Sequence, residues 1–186
     1  MFYTGLGIIT PRIMRTWQAY ANDRRGAAAV EFAMIAAPFF LLIFGLLEIC
    51  VLFIVSTIME HAVAEASRQI RTGQAQGSGF NEQNFRTAVC DRFMGMLDCD
   101  AKLHIDVKAL SGFSAAQIDM PLDADGNFDD GNFAYDPGGP NDIVAVRIFY
   151  EWNLMTPLMS IPLANMAGSK HLVQANAVFR NEPFGD

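Results

Sequence analysis

Two apolar runs, residues 32–47 and 49–59, carry no charged side chain and are separated only by Glu48. Together they exceed the about 20 residues a helix needs to cross a hydrocarbon core. The pattern does not stop there. In "STIMEHAVAEASRQIRTG", Met59, Val63, Ala66 and Ile70 form an apolar stripe, with Ile58, Ala62, Glu65 and Gln69 beside it. Arg68 and Arg71 sit where a last turn favours cations, and Gly73 is a natural stop. The spacing predicts one helix from Ala27 to Thr72, about 70 Å long at about 1.5 Å per residue. Only half of that length is needed for a bilayer. The remainder would serve as a stalk or as the spine of an outer domain. Pro38 removes one backbone bond and is expected to kink the helix, and Gly45 offers a small surface for close helix approach.

Beyond the helix the period changes. "GQAQGSG", residues 73–79, reads as a short flexible connector. "NEQNFRTAVCDRFMGMLDC" predicts a helix capped by Asn81, with Phe85, Val89, Phe93 and Leu97 on one face. "KLHIDVKAL" alternates Leu103, Ile105 and Val107 with Lys102, His104, Asp106 and Lys108, the signature of a half-buried strand. "DIVAVRIFYEW" and "HLVQANAVFRNEP" are the second and third strands. The apolar connector between them contains Pro157 and Pro162, which prevent a long helix. The expected fold is α+β: a long N-terminal transmembrane helix continuing into a small head with an antiparallel sheet and a short helix.

Composition and charge set the orientation. Hydrophobic residues make up 52% of the 186 residues and charged ones only 18%, with the apolar excess concentrated in the helix. Up to Gly26, Arg12, Arg15, Arg24 and Arg25 face a single acid, Asp23. From Gly73 onward there are fifteen acids against seven Lys and Arg. An acidic main domain argues against nucleic-acid binding. The positive-inside rule puts the N-terminus in the cytoplasm and the C-terminal domain across the membrane. Three regions follow: residues 1–26 as a cytoplasmic leader, 27–72 as membrane helix and extension, and 73–186 as a periplasmic α+β domain.

The leader has the wrong order for a secretory signal, whose apolar stretch precedes its cleavage site. Here a cut at Gly26 would leave the whole apolar segment on the mature chain. "GAAAVEF", Gly26 to Phe32, resembles the processing site of type IVb prepilins, and "VEFAMIAAPFFLLIFGLLEI" with the ending "AVFRNEPF" resembles TadE-like proteins of the tight-adherence (Flp) pilus system. The N-terminal motif is shared with TadF-like and TadG-like relatives; the tail and the short chain favour TadE. The resemblance implies cleavage between Gly26 and Ala27 by a prepilin peptidase, with Glu31 at the fifth mature position and Phe32 after it. It also implies a pilin-like head. Glu31 would then lie one turn from a new amine on Ala27 and pair with that amine, or with the amine of a neighbouring subunit. A place in the first helical turn would add a favourable dipole interaction. Residence in the headgroup layer is the plainer alternative.

Glu48 lies about 32 Å along the helix from Ala27, near the outer interface. It either rests in water there or contacts another anchor helix or an assembly platform. Cys90 and Cys99 flank the end of the short helix and, outside the cytoplasm, are expected to form a disulfide. Cys50 reads as an apolar filler. In "DADGNFDDGNFAYDPGGPND", Asp123, Asp125, Asn127 and Asp129 alternate as in the first half of a calcium loop. The pattern then fails: Phe128 stands where glycine is needed and Ala134 where glutamate is needed. A solvated acidic loop, or one that contacts partner subunits, is the better reading. His61, His104 and His171 have no metal-binding or nucleophile spacing, no catalytic motif is present, and no cofactor is implied.

The expected role is a minor pilin, or pseudopilin, supporting Flp pilus assembly for adherence and biofilm formation. Its expected partners are the peptidase, other minor pilins, the major Flp pilin and the inner-membrane assembly platform. The alternatives are an uncleaved inner-membrane scaffold of the same machine and a membrane-anchored periplasmic calcium-binding module.

Overall fold

The computed structural model describes residues 26–185 apart from positions 94, 96, 117 and 118; the expected leader, except Gly26, lies outside the described residues. Helix α1 runs from Ala27 to Arg71 and continues through Pro38. The chain divides into two compact units at Ile43/Phe44. In the first unit the described residues are the start of α1, with Val30, Phe32, Met34 and Ile35 exposed.

In the second unit, α1 turns one face to a core. Leu52, Val55, Met59, Ala62, Val63, Ala66 and Ile70 are buried, at the three- and four-residue intervals that place side chains on one helical face. The helix ends as its sequence requires. Gly73 adopts φ 77°, a left-handed conformation cheap only for glycine, and its N–H donates to the Ile70 carbonyl at 3.1 Å.

The connector after it is ordered, contrary to the flexible segment expected. Residues Gln74–Gly77 form one helical turn, α2. Ala75 is buried, and the Gln76 amide donates to the carbonyls of Pro137 and Gly138. Helix α3, Glu82–Cys90, is capped by the Asn81 side chain, which accepts from the Asn84 N–H at 3.0 Å. It gives way to a 3₁₀ turn, Asp91–Phe93, instead of continuing to Cys99. Phe85, Val89 and Phe93 are nevertheless all buried. A short turn, α4 (Cys99–Lys102), leads into the sheet, and Cys90 is disulfide-bonded to Cys99.

The sheet is an antiparallel meander in the order β1 (Leu103–Leu110), β2 (Ile143–Asn153), β3 (Lys170–Arg180), with a helical turn α5 (Ser160–Leu163) between the last two. The register pairs Val107 with Val146 and Ile148 with Ala175. Because side chains alternate along a strand, Val144, Val146, Ile148 and Tyr150 share one face and join the α1 residues in a single core. The opposite face carries Ala145, Arg147 and Phe149. Phe149 is also fully buried, so β2 is covered on both sides.

The second cover is the acidic segment between β1 and β2. Phe128 and Phe133 lie with ring centroids 6.0 and 5.5 Å from that of Phe149. Val107 exchanges backbone bonds with Ala134 and Asp136 at 2.7 and 2.8 Å. A loop read as solvated is thus a fitted lid on the sheet, with its acids outward and its phenylalanines inward.

Candidate anchoring and assembly site

Glu31 and Glu48, the acids of the apolar part of α1, occupy unlike surroundings. Gly26 supplies a carbonyl that accepts from the Val30 N–H at 3.1 Å, so the helix is wound from Ala27 onward. Glu31 is its fifth residue, and the first turn holds no acid. The expected first-turn dipole contribution therefore weakens, because that effect falls off within the first turn. Glu31 is exposed, as is Phe32 beside it. Among the described residues no hydrogen bond or ion pair engages the Glu31 carboxylate. The surrounding helix is long and apolar enough to cross a membrane, with a mean hydropathy of 2.8 over its best 18 residues, little of it buried. Its length and composition are those of a membrane-spanning helix.

Glu48 lies on the buried stripe that runs Gly45, Glu48, Leu52, Val55, Met59. Its side chain is 3% exposed, an unusual position for a carboxylate unless its oxygens have partners. They do, and the partners belong to the same chain. One oxygen accepts from the Met155 N–H at 2.6 Å and the other from the Thr156 N–H at 2.9 Å. The Thr156 hydroxyl donates in turn to the Phe44 carbonyl at 3.3 Å. These two amides lie just past the end of β2, where the chain leaves the sheet and loses its ladder partners. The carboxylate holds them against the helix. One turn earlier, a Cβ at Gly45 would come within 2.9 Å of the Met159 sulfur, so the absence of a side chain there lets the same loop lie close. Gly45 had been read as a surface for another helix; here it receives the chain's own loop. Cys50 is a free thiol on the exposed side of α1.

The sheet's second face holds a charged cluster for which the sequence offered no signal beyond strand alternation. Asp106 is 1% exposed and pairs with Arg147 at 2.6 Å and Lys108 at 3.1 Å, while accepting from the Ala134 N–H at 3.0 Å. Asp106 and Arg147 are direct cross-strand partners, which brings the opposite charges together. The pair ties the lid to the strands.

Of the four calcium candidates, Asp123, Asn127 and Asp129 have side chains engaged within their own turns. One Asp123 oxygen accepts from the backbone N–H groups of Asp125 and Asn127 at 2.9 and 2.7 Å, and the Asn127 amide donates to the carboxylate as well. The Asn127 N–H bond, foremost, holds the Asp123 carboxyl below its ordinary range. Asp129 accepts from the Gly131 N–H at 2.9 Å. Among the described residues no three His, Cys, Asp or Glu side chains are grouped to hold a metal ion. This arrangement is that of side chains closing their own turns.

Two tyrosines complete the electrostatics. Burial, with a smaller contribution from the Glu82 charge, raises the Tyr135 hydroxyl to about 12. Burial also raises that of Tyr150, although its oxygen accepts the Asp98 N–H at 3.1 Å.

Compared with known families, residues 26–68 match the model of TadE-like proteins. The match covers the start of α1, both Glu31 and Glu48, and most of its buried stripe, and it falls on the segment that carried the resemblance in the sequence. The sheet and the tail ending in Phe184 lie outside it. No curated protein and no solved structure gives a significant match to the chain.

Proposed function

We propose that this chain is a membrane-anchored minor pilin, or pseudopilin, of a tight-adherence pilus system, with a structural role in assembly and no catalytic one. The observation that carries the reading is the helix start. A TadE-like segment begins at Gly26, and the first turns of the helix that follows are exposed and apolar, interrupted by one acid, Glu31, that has no partner among the described residues. A surface of that kind needs either lipid or other helices to cover it. In the proposal, residues 1–26 are a cytoplasmic leader, residues 27–72 anchor the protein in the bacterial inner membrane, and residues 73–186 stand in the periplasm.

A prepilin peptidase cuts after Gly26. The new amine on Ala27 lies one helical turn from Glu31, and the carboxylate pairs with it or with the amine of an adjacent subunit. Other minor pilins, the major pilin and the assembly platform are the partners this assigns. Mass spectrometry of the membrane-extracted protein is the test. The expected mature chain begins at Ala27, and a Gly26→Ala strain accumulates the full-length chain and loses pili. An intact Met1 in a normally piliated strain would instead identify an uncleaved scaffold.

A further inference from the structure

The loop that Glu48 holds is itself unusual. From Asn153 to Ser169 there is no charged residue, although Glu151 and Lys170 stand at either side. Leu154 and Leu163 pack against the core, but three other large apolar side chains of the loop face outward. Met155 is 72% exposed, Leu158 62% and Ile161 81%. Leu158 adopts φ 66°, a left-handed conformation that favours glycine, yet a large apolar side chain is displayed there.

The position of this loop decides what could cover it. The Glu48 carboxylate and the Met159–Gly45 contact set it beside residues 44–48 of α1. On the free side of the same stretch and the turns after it, Leu46, Leu47, Ile49 and Phe53 are exposed. A bilayer that covers these helical side chains reaches the loop at the same level.

We infer that residues 154–163 form a second membrane contact, an apolar wedge from the head that enters the interfacial layer of the bilayer beside the anchor helix. The inference rests on the reading of α1 as a membrane anchor. Apolar side chains without charge, presented at the acyl boundary, are what interfacial insertion requires. Glu48 then acts as a clamp. It accepts from the two amide N–H groups that would otherwise enter that layer unpaired, and it fixes how far the head can stand from the membrane.

The test uses the full chain carrying Cys50→Ser, with the Cys90–Cys99 disulfide kept oxidised, in phosphatidylethanolamine and phosphatidylglycerol vesicles. An environment-sensitive fluorophore is placed singly through Leu158→Cys, Ile161→Cys, Phe40→Cys in the anchor, or Ser114→Cys at the far end of the sheet. Lipids with nitroxide-labelled acyl chains are the quencher. The expected result is blue-shifted, quenched emission at positions 158, 161 and 40, and water-like, unquenched emission at 114. Water-like emission at 158 and 161 with a quenched probe at 40 overturns the wedge while leaving the anchor intact. Blue-shifted emission without quenching at 158 and 161 also overturns it, showing protein cover such as a second copy. An unquenched probe at 40 overturns the anchor itself and the wedge with it.

Discussion

Replacing Glu48 by alanine isolates the contact that binds the head's loop to the helix. The variant removes the acceptor of two N–H bonds, 2.6 Å from Met155 and 2.9 Å from Thr156. A hydrogen bond to a charged group contributes about 1.5–3 kcal/mol, and a buried donor left without a partner costs about 1–3 kcal/mol. The two bonds share one carboxylate, so they do not add in full. Water and headgroups of the interfacial layer replace part of what is lost. A net loss of about 1.5–3 kcal/mol against local opening follows, roughly a ten- to hundredfold faster exchange of the two amides. Hydrogen–deuterium exchange of the full chain in lipid nanodiscs reads this directly, with a peptide covering residues 154–159 compared with one from the middle of β2. Glu48→Gln keeps the shape and one acceptor oxygen but aims an N–H₂ at the second amide, so it should fall between wild type and alanine. Exchange in residues 154–159 that is unchanged in Glu48→Ala, with β2 also unchanged, would refute the clamp. Equal acceleration in β2 would mean that Glu48 supports the whole head instead of one loop.

Four further outcomes follow from the packing. Gly73→Ala should destabilise the head by about 1–2 kcal/mol for the left-handed backbone alone, and further because the new Cβ overlaps the Phe184 ring; equal denaturation midpoints would contradict this. Asp106→Ala removes the buried carboxylate that pairs with Arg147, and loss of one member of such a pair costs about 3–5 kcal/mol, read by urea unfolding followed through Trp152 in a Trp17→Phe background. Asp106→Asn, which keeps an acceptor for the Ala134 N–H, should lose less. Reducing Cys90–Cys99, nine residues apart, should lower stability by about 2–3 kcal/mol through release of the closed loop. Tyr135 has a raised folded-state value, so its contribution is complete below the unfolded tyrosine range near 10 and is lost as pH rises through about 12. Absorbance titration should show one phenol ionising late, and Tyr135→Phe should remove that step without loss of stability at pH 7, since the buried hydroxyl has no hydrogen-bond partner among the described residues.

How far these features can be read from residues alone depends on what kind of group answers each need. The long helix is legible because its apolar run and its Arg71–Gly73 ending are local properties of the chain. The strands are legible through alternation, but β2 departs from it: "IVAVRIFY" is nearly continuous in apolar residues, the pattern of a strand covered on both faces. That excess was the available sign that a second layer exists. Phe128 and Phe133, set in an otherwise acidic and glycine-rich loop, were the sign of what forms it. The connector at Gln74–Gly77 misleads because small polar residues suit a linker equally well, and only the burial of Ala75 distinguishes them.

Glu48 marks a different boundary. Its cost in an apolar helix is visible in the sequence, but its partners are backbone amides, and every residue except proline has one. No residue type at positions 155 and 156 announces that they will receive a carboxylate more than a hundred residues earlier in the chain.

Glu31 and Glu48, the acids of the apolar part of α1, can now be told apart. A carboxylate in an apolar setting must be hydrated, paired or hydrogen-bonded. Glu48 meets that condition inside the fold, so its presence needs no second molecule. Glu31 meets it with no group among the described residues. If the anchor packs among other helices, water is withdrawn from Glu31 and a cation or hydrogen-bond donor has to replace it. The amine released at Ala27 is the nearest one that processing would create, and before cleavage it is an uncharged peptide nitrogen. In the proposed assembly, cleavage therefore does more than shorten the chain: it supplies the charge that lets Glu31 enter a helix bundle, and Glu48 is already excused from that task.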